Sequence, residues 1–223
     1  MDPERDEITT EVTEPAPGAY PEGAEPDDAA ELDDGELEEA PPLDPEVEAR
    51  RVAAQSFIKR YGDPILKSRA TEVDRFDDGL RNQVGRMAAI MRDALGVGLA
   101  APQLGISQRL LVYRVGQDAP LVALVNPEIE WTGKEEEVFE EGCLSIPGIQ
   151  VDVPRKIHVR VRARDEEGLE RVVEASGLEA RVIQHEMDHL DGVLMLDRAS
   201  RDQKKEAMRT LRDLQRERDE RAA

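Results

Sequence analysis

The chain has 223 residues, with 50 acidic side chains against 30 basic ones and a formal charge of -20. That surplus is local: residues 1–49 hold 19 of the acids and one basic residue, Arg5, so this segment is -18 and the remainder only -2. One cysteine excludes an intrachain disulfide framework, and no stretch approaches the roughly 20 apolar residues that a membrane-spanning helix needs.

Residues 1–49 also carry eight of the 14 prolines and a single aromatic residue, Tyr20. Such a composition cannot bury enough apolar surface to offset its ordering entropy, so it reads as a disordered acidic tail. It lacks the basic start and apolar run of a secretory signal, and it is the opposite of an Arg-rich, acid-poor transit peptide. A free thiol in such a chain suits a reducing cytoplasm. Residues 50–198 have the size of one globular domain, and 199–223 are a polar C-terminal segment.

Within the domain, Phe76, Leu80, Val84, Met87, Met91 and Leu95 recur at steps of three and four, the spacing of an amphipathic helix, with Gly96 placed to cap it. Residues 109–115 and 120–125 are apolar and β-rich. Ile157, Val159, Val161 and Ala163 alternate with His158, Arg160, Arg162 and Arg164, the pattern of a half-buried antiparallel strand. Residues 169–175 are its expected partner across a turn at Gly168. His158 falls on the arginine-bearing face and reads as a rim residue, not a ligand. Leu178, Val182, Ile183 and Leu190 give a second helix its apolar stripe, bracketed by Gly177 and Gly192. A polar helix over 200–221 closes the chain, packed through Ala207, Met208, Leu211 and Leu214. Helix, then strands, then helix predicts an α+β fold: mostly antiparallel sheets around a central helix, with one helix before them and a C-terminal helix after.

The central helix carries Gln184-His185-Glu186-Met187-Asp188-His189. Residues four apart share a helix face, so His185 and His189 can grip one ion. Glu186, about 100° around the axis, is suited to a water beside the ion. The lone cysteine sits in Glu141-Gly142-Cys143-Leu144-Ser145 and offers a thiolate as third ligand. Three ligands and a base leave one coordination position open, the arrangement of a hydrolytic site; a structural zinc site tends to fill all four positions.

A third motif, Gly96-Val97-Gly98-Leu99-Ala100-Ala101-Pro102-Gln103, precedes these two. Alone it reads as a helix cap and tight turn. The three motifs in this order resemble the peptide deformylases, over about residues 51–197, including Gly62-Asp63-Pro64 and the Asn126-Pro127 step. The resemblance implies a hydrolase that removes the formyl group from the N-terminal formyl-methionine of new polypeptides and releases formate. It implies Cys143, His185 and His189 as metal ligands and Glu186 as general base and then acid. Gln103 and the Leu144 backbone N–H would hold the formyl oxygen, with Val97 and Gly98 beside the substrate and Gly98 giving its backbone room. The implied cofactor is one divalent ion, Fe(II) foremost, with Zn(II) or Ni(II) able to occupy the site. Gly148-Ile149-Gln150 would flank the pocket, and Asp188, Glu141 and Arg155 are the expected partners orienting the imidazoles. The last helix resembles that of many bacterial members, where such a helix docks near the ribosomal exit tunnel; nine basic residues against six acidic ones over 198–221 give it a modest +3. A peptidase with the same H-E-x-x-H pattern is the rival enzyme, but that pattern usually takes its third ligand downstream. A non-catalytic metal-stabilised module would need neither Glu186 nor Gln103.

Overall fold

The computed structural model describes residues 43–116 and 118–222, without the side chains of 215, 218, 219, 221 and 222. Residues 1–42 of the expected acidic tail lie outside the described residues. The first element is α1 (Pro45–Gln55), capped by Asp44, whose carboxylate accepts the Glu46 N–H, with Pro45 in its first turn. This helix runs through residue 49, so helical structure begins inside the stretch that composition assigns to the tail.

The spacing-predicted helix is α2 (Asp78–Asp93), where Asp77 caps by accepting the Leu80 N–H at 3.1 Å. Leu80, Val84, Met87 and Met91 are buried. The helix ends in a Schellman arrangement: the Gly96 N–H donates to Met91 O at 2.9 Å and the Leu95 N–H to Arg92 O at 3.0 Å. The left-handed residue is Leu95, at φ 60°, rather than the glycine expected to cap. Gly96 answers a different need, because a Cβ on it would lie 2.7 Å from Leu144 Cδ1.

The fold is α+β. Strands β1 (Gly98–Ala100), β2 (Leu110–Tyr113) and β3 (Val122–Thr132) are followed by β4 (Glu136–Cys143), β5 (Ile146–Lys156), β6 (His158–Arg164) and β7 (Glu170–Ser176). One antiparallel sheet has the order β1-β2-β3-β6-β7, and β4 and β5 form a separate hairpin. In β6 the predicted alternation holds: Val159, Val161 and Ala163 are buried, and His158, Arg160 and Arg162 are exposed. The β4–β5 hairpin has no counterpart in the sequence reading. β4 is exposed from Glu136 to Glu140, so it shows no buried–exposed alternation there.

Helix α3 (Gly177–Leu190) is the central element. Its Ile183, Met187 and Leu190 share one buried cluster with Leu111 and Leu124 of the sheet. Leu178, counted in its apolar stripe, is 58% exposed and faces the cleft described below. The one-turn α4 (Met195–Arg198) leads into α5 (Arg201–Ala222), which packs Ala207, Met208 and Leu211 onto Ile149, Val151 and Val153 of β5.

Candidate metal centre and active-site cleft

Two elements far apart in sequence meet at the centre. β4 ends at Cys143, where its register with β5 breaks between Gly142 and Cys143, turning the thiol toward α3. On α3 the rings of His185 and His189 stand 5.1 Å apart, one turn above the other. Cys143 Sγ lies 3.3 Å from His189 Nε2, and one ligand atom from each of the three residues falls within 4.8 Å of the others. Burial pushes the Cys143 thiol up, but the His189 and His185 imidazoles outweigh it and hold it well below the usual thiol range. His185 is displaced the other way: burial lowers it, and the Cys143 sulfur and Glu141 carboxylate carry it well above the usual imidazole value.

Behind His185 stands a buried ionic network. The His185 Nδ1–H donates to Glu141 Oε2 at 2.9 Å, which turns the other ring nitrogen toward Cys143. Arg155 grips the same carboxylate with Nε and Nη2, each at 2.9 Å, and Arg181 Nη1 adds a third donor at 2.9 Å. Burial disfavours the Glu141 anion, yet Arg155 and His185 hold its pKa down at about 2. Arg155 also reaches Asp188 at 2.6 Å, and Arg198 of α4 closes bidentately on Asp188. Of the three expected orienting residues, Glu141 therefore makes the direct contact, and Asp188 acts on it through Arg155. Arg181 and Arg198 had no signal in the sequence beyond being arginines within helical segments.

Glu186 is 4% exposed, and its Oε2 has no hydrogen-bond partner among the described residues. Burial raises its pKa, against the pull of His185 and His189. Its space depends on Gly98: a Cβ there would lie 2.9 Å from Glu186 Cγ and Cδ. A side chain at Gly98 would thus meet the carboxylate, and the bare Gly98 backbone lines the cleft. Gln103 is buried and fixed, because Oε1 accepts the Ala100 N–H at 2.8 Å. Its Nε2 faces Ser145 Oγ at 3.3 Å and Cys143 Sγ at 3.7 Å. Leu144 follows Cys143 at the hairpin turn, its carbonyl held by Arg60 Nη1 at 3.1 Å. Val97 is 49% exposed, at the start of the edge strand β1.

These residues line one cleft of about 650 Å³, from Leu95–Gly98 and Gln103 on one side to Glu140–Leu144, Ile146–Gln150 and the α3 residues Leu178, Arg181, Val182, His185 and Glu186. His158 is exposed and lies outside it. A thiolate and two imidazoles beside an unpartnered buried carboxylate are the equipment of a metal-dependent hydrolase.

Comparison with known proteins makes the class specific. Residues 56–205 match the family model for polypeptide deformylase. The peptide deformylase of Natranaerobius thermophilus is 46% identical over 142 residues, covering 64% of this chain and 90% of that one. That of Thermotoga petrophila is 50% identical over 145 residues, covering 64% and 86%. Among solved structures, a peptide deformylase from Synechococcus elongatus in complex with actinonin superposes with a TM-score of 0.66 at 44% identity, covering 69% of this chain and 85% of that one. One from Legionella pneumophila gives 0.69 at 40%, covering 72% and 95%. The chain belongs to the polypeptide deformylase family. It is a hydrolase that removes the N-formyl group from newly made polypeptides, and the family is metal-dependent. No helix among the described residues is long and apolar enough to cross a membrane.

Proposed function

We propose that Cys143, His185 and His189 hold one divalent ion and that Glu186 is the acid–base group of the deformylation. The observation that carries this is the Glu186 carboxylate, buried with one oxygen unpartnered beside three convergent ligand atoms. When bound, the ion supplies Lewis acidity toward water and the formyl oxygen. The family resemblance points to Fe(II) as that ion, and a donor set of one thiolate and two imidazoles can equally take Zn(II) or Ni(II).

Glu186 takes a proton from the attacking water and returns it to the leaving amine. Burial, which lifts its pKa, suits it to both halves of that transfer. The Gln103 amide and the Leu144 N–H stabilise the oxygen on which charge develops. Both are fixed in advance, Gln103 by Ala100 and Leu144 by Arg60. A donor so preorganised is worth about 2.7–4 kcal/mol in the transition state. Strand β1 is paired on one side only, by β2, so its other edge at Val97 and Gly98 can take the peptide as an added strand. Gly148, Ile149 and Gln150 line the cleft and bear on side-chain preference.

The work belongs in the cytoplasm, where formylated chains emerge from the ribosome. The basic residues of α5 are the surface for docking there; removal of the chain after Ala199 should reduce co-sedimentation with ribosomes at low salt. The direct test of the chemistry is formate release from formyl-Met-Ala-Ser, under anaerobic conditions, by the Fe(II), Ni(II) and Zn(II) forms. Glu186→Gln should keep metal and lose turnover. Turnover by that variant at the wild-type rate would remove Glu186 from the mechanism, and cleavage of internal peptide bonds instead would favour the peptidase reading.

A further inference from the structure

The family match begins at residue 56, yet Arg51 and Gln55 of the preceding α1 line the same cleft as His185 and Glu186. The helix is fastened in that position. Ala54 is buried in one cluster with Val84 and Met87 of α2. Gln55 Oε1 accepts from Arg60 Nη2 at 3.4 Å, and Arg60 in turn holds the Leu144 carbonyl. Part of the cleft wall is therefore built by a helix that precedes the residues matched to the family model.

Among the charged residues of the cleft, Glu141, Arg181 and Glu186 are buried, and the first two are bonded to each other. Arg51 and Glu140 are the accessible charges, and of these Arg51 comes from that helix. The Arg51 side chain is 39% exposed and pairs with Glu48, one turn back on α1 and 42% exposed. An exposed pair within one helix is weak and readily exchanged for another carboxylate.

We propose that Arg51, with Gln55 beside it, is a specificity-determining contact for the nascent chain and favours an acidic side chain shortly after the formyl-methionine. The inference rests on the deformylase reading of the cleft. Its test uses formyl-Met peptides carrying Glu, Gln or Lys at the second, third or fourth residue, with kcat and KM read from formate release by the full-length Ni(II) enzyme. Arg51→Glu should lower the Glu-to-Lys ratio of kcat/KM by about three- to tenfold at one of these positions, since it replaces an attraction worth a few-fold by a repulsion of similar size. The change should lie in KM and shrink at about 0.5 M salt. Arg50→Glu makes the same charge change at an exposed residue of α1 that does not line the cleft, and should leave the ratio as it is. An unchanged ratio in Arg51→Glu, or an equal change in Arg50→Glu, would overturn the proposal. Failure of the wild type to release formate from any of the peptides would sink the deformylase reading itself, a result distinguishable because it does not depend on the varied residue.

Discussion

Gly98→Ala tests the tightest packing in the cleft. A methyl group there would lie 2.9 Å from both Glu186 Cγ and Cδ, whereas non-bonded carbons rest at about 3.5–4.0 Å. Relief of the overlap requires the carboxylate or strand β1 to move by roughly 0.5–1 Å. β1 is held in antiparallel register against β2 over Gly98, Leu99 and Ala100, and Glu186 is the less constrained partner because its Oε2 has no bond to break. The displacement therefore falls on the group proposed to carry protons. A misplacement near 1 Å costs on the order of 10²-fold in rate, so kcat on formyl-Met-Ala-Ser should drop by about that factor. Metal content should change little, since the Cys143, His185 and His189 side chains are not touched. Overpacking should also cost about 1–3 kcal/mol of stability, read as a lower Tm. Gly85→Ala in α2 is the control: its added Cβ meets nothing within 4 Å, and a helix-interior Gly→Ala change should stabilise by about 0.5–1 kcal/mol without touching kcat. A Gly98→Ala enzyme with full metal and kcat within about threefold of wild type would refute the reasoning, which relies on the 1 Å sensitivity of positioned catalytic groups.

Glu141→Gln leaves Arg155 and Arg181 facing a neutral amide and weakens the brace on His185; metal affinity, measured by competition with a chelator, should fall about 10–100-fold. Unchanged affinity would mean that His185 is oriented by packing alone. Asp197 joins the start of α4 to Lys67 and Lys204 and accepts the Leu194 N–H. Burial disfavours its charge, but Lys67, the Leu194 N–H and Lys204 hold its pKa down at about 2 from an ordinary 3.8. A folded pKa below the unfolded one stabilises above the unfolded value, so this contribution is full above about pH 4 and is lost as the pH falls from about 4 to about 2. The shift corresponds to about 2.4 kcal/mol at 1.36 per unit, discounted to about 1–2 for a side chain 31% exposed. Asp197→Asn should lose that amount at pH 7 and show a shallower acid limb in urea titrations; parallel limbs would count against the account. Leu95→Gly removes a left-handed residue with a Cβ from the end of α2 and should recover about 1 kcal/mol, seen as a Tm rise of about 2–4 °C.

What could be read along the sequence, and what could not, divides by the range of the interaction. The spacing of His185 and His189 fixes their common helix face without reference to anything else, and the alternation in β6 fixes which of its residues are buried. Neighbouring residues suffice for both. The β4–β5 hairpin escaped notice for the opposite reason. Its acids are exposed at Glu136, Glu137 and Glu140 and buried at Glu141, and only its place two residues before Cys143 sets the last apart. Glu141 is burial-tolerant only because Arg155 and Arg181 arrive from β5 and α3. An unpaired carboxylate there would be costly, and removing one partner of such a buried pair costs about 3–5 kcal/mol.

The same limit explains why the sequence left the roles of two glycines incomplete. From the sequence, Gly96 is the obvious helix cap and Gly98 the obvious place for a substrate to approach, since glycine permits both. In the fold, Leu95 takes the left-handed position, and each glycine makes room for a side chain from elsewhere, Leu144 for one and Glu186 for the other. A glycine in sequence reports that space is needed; only the long-range packing says what fills it. The centre is accordingly assembled from both kinds of information. The spacing on α3 is local, whereas the placement of Cys143 against it depends on a chain of charges, from the buried Glu141, Arg155 and Asp188 to the exposed Arg198, that ties β4, β5, α3 and α4 together. Residues in that chain hold the strand that carries the thiol against the helix that carries the imidazoles.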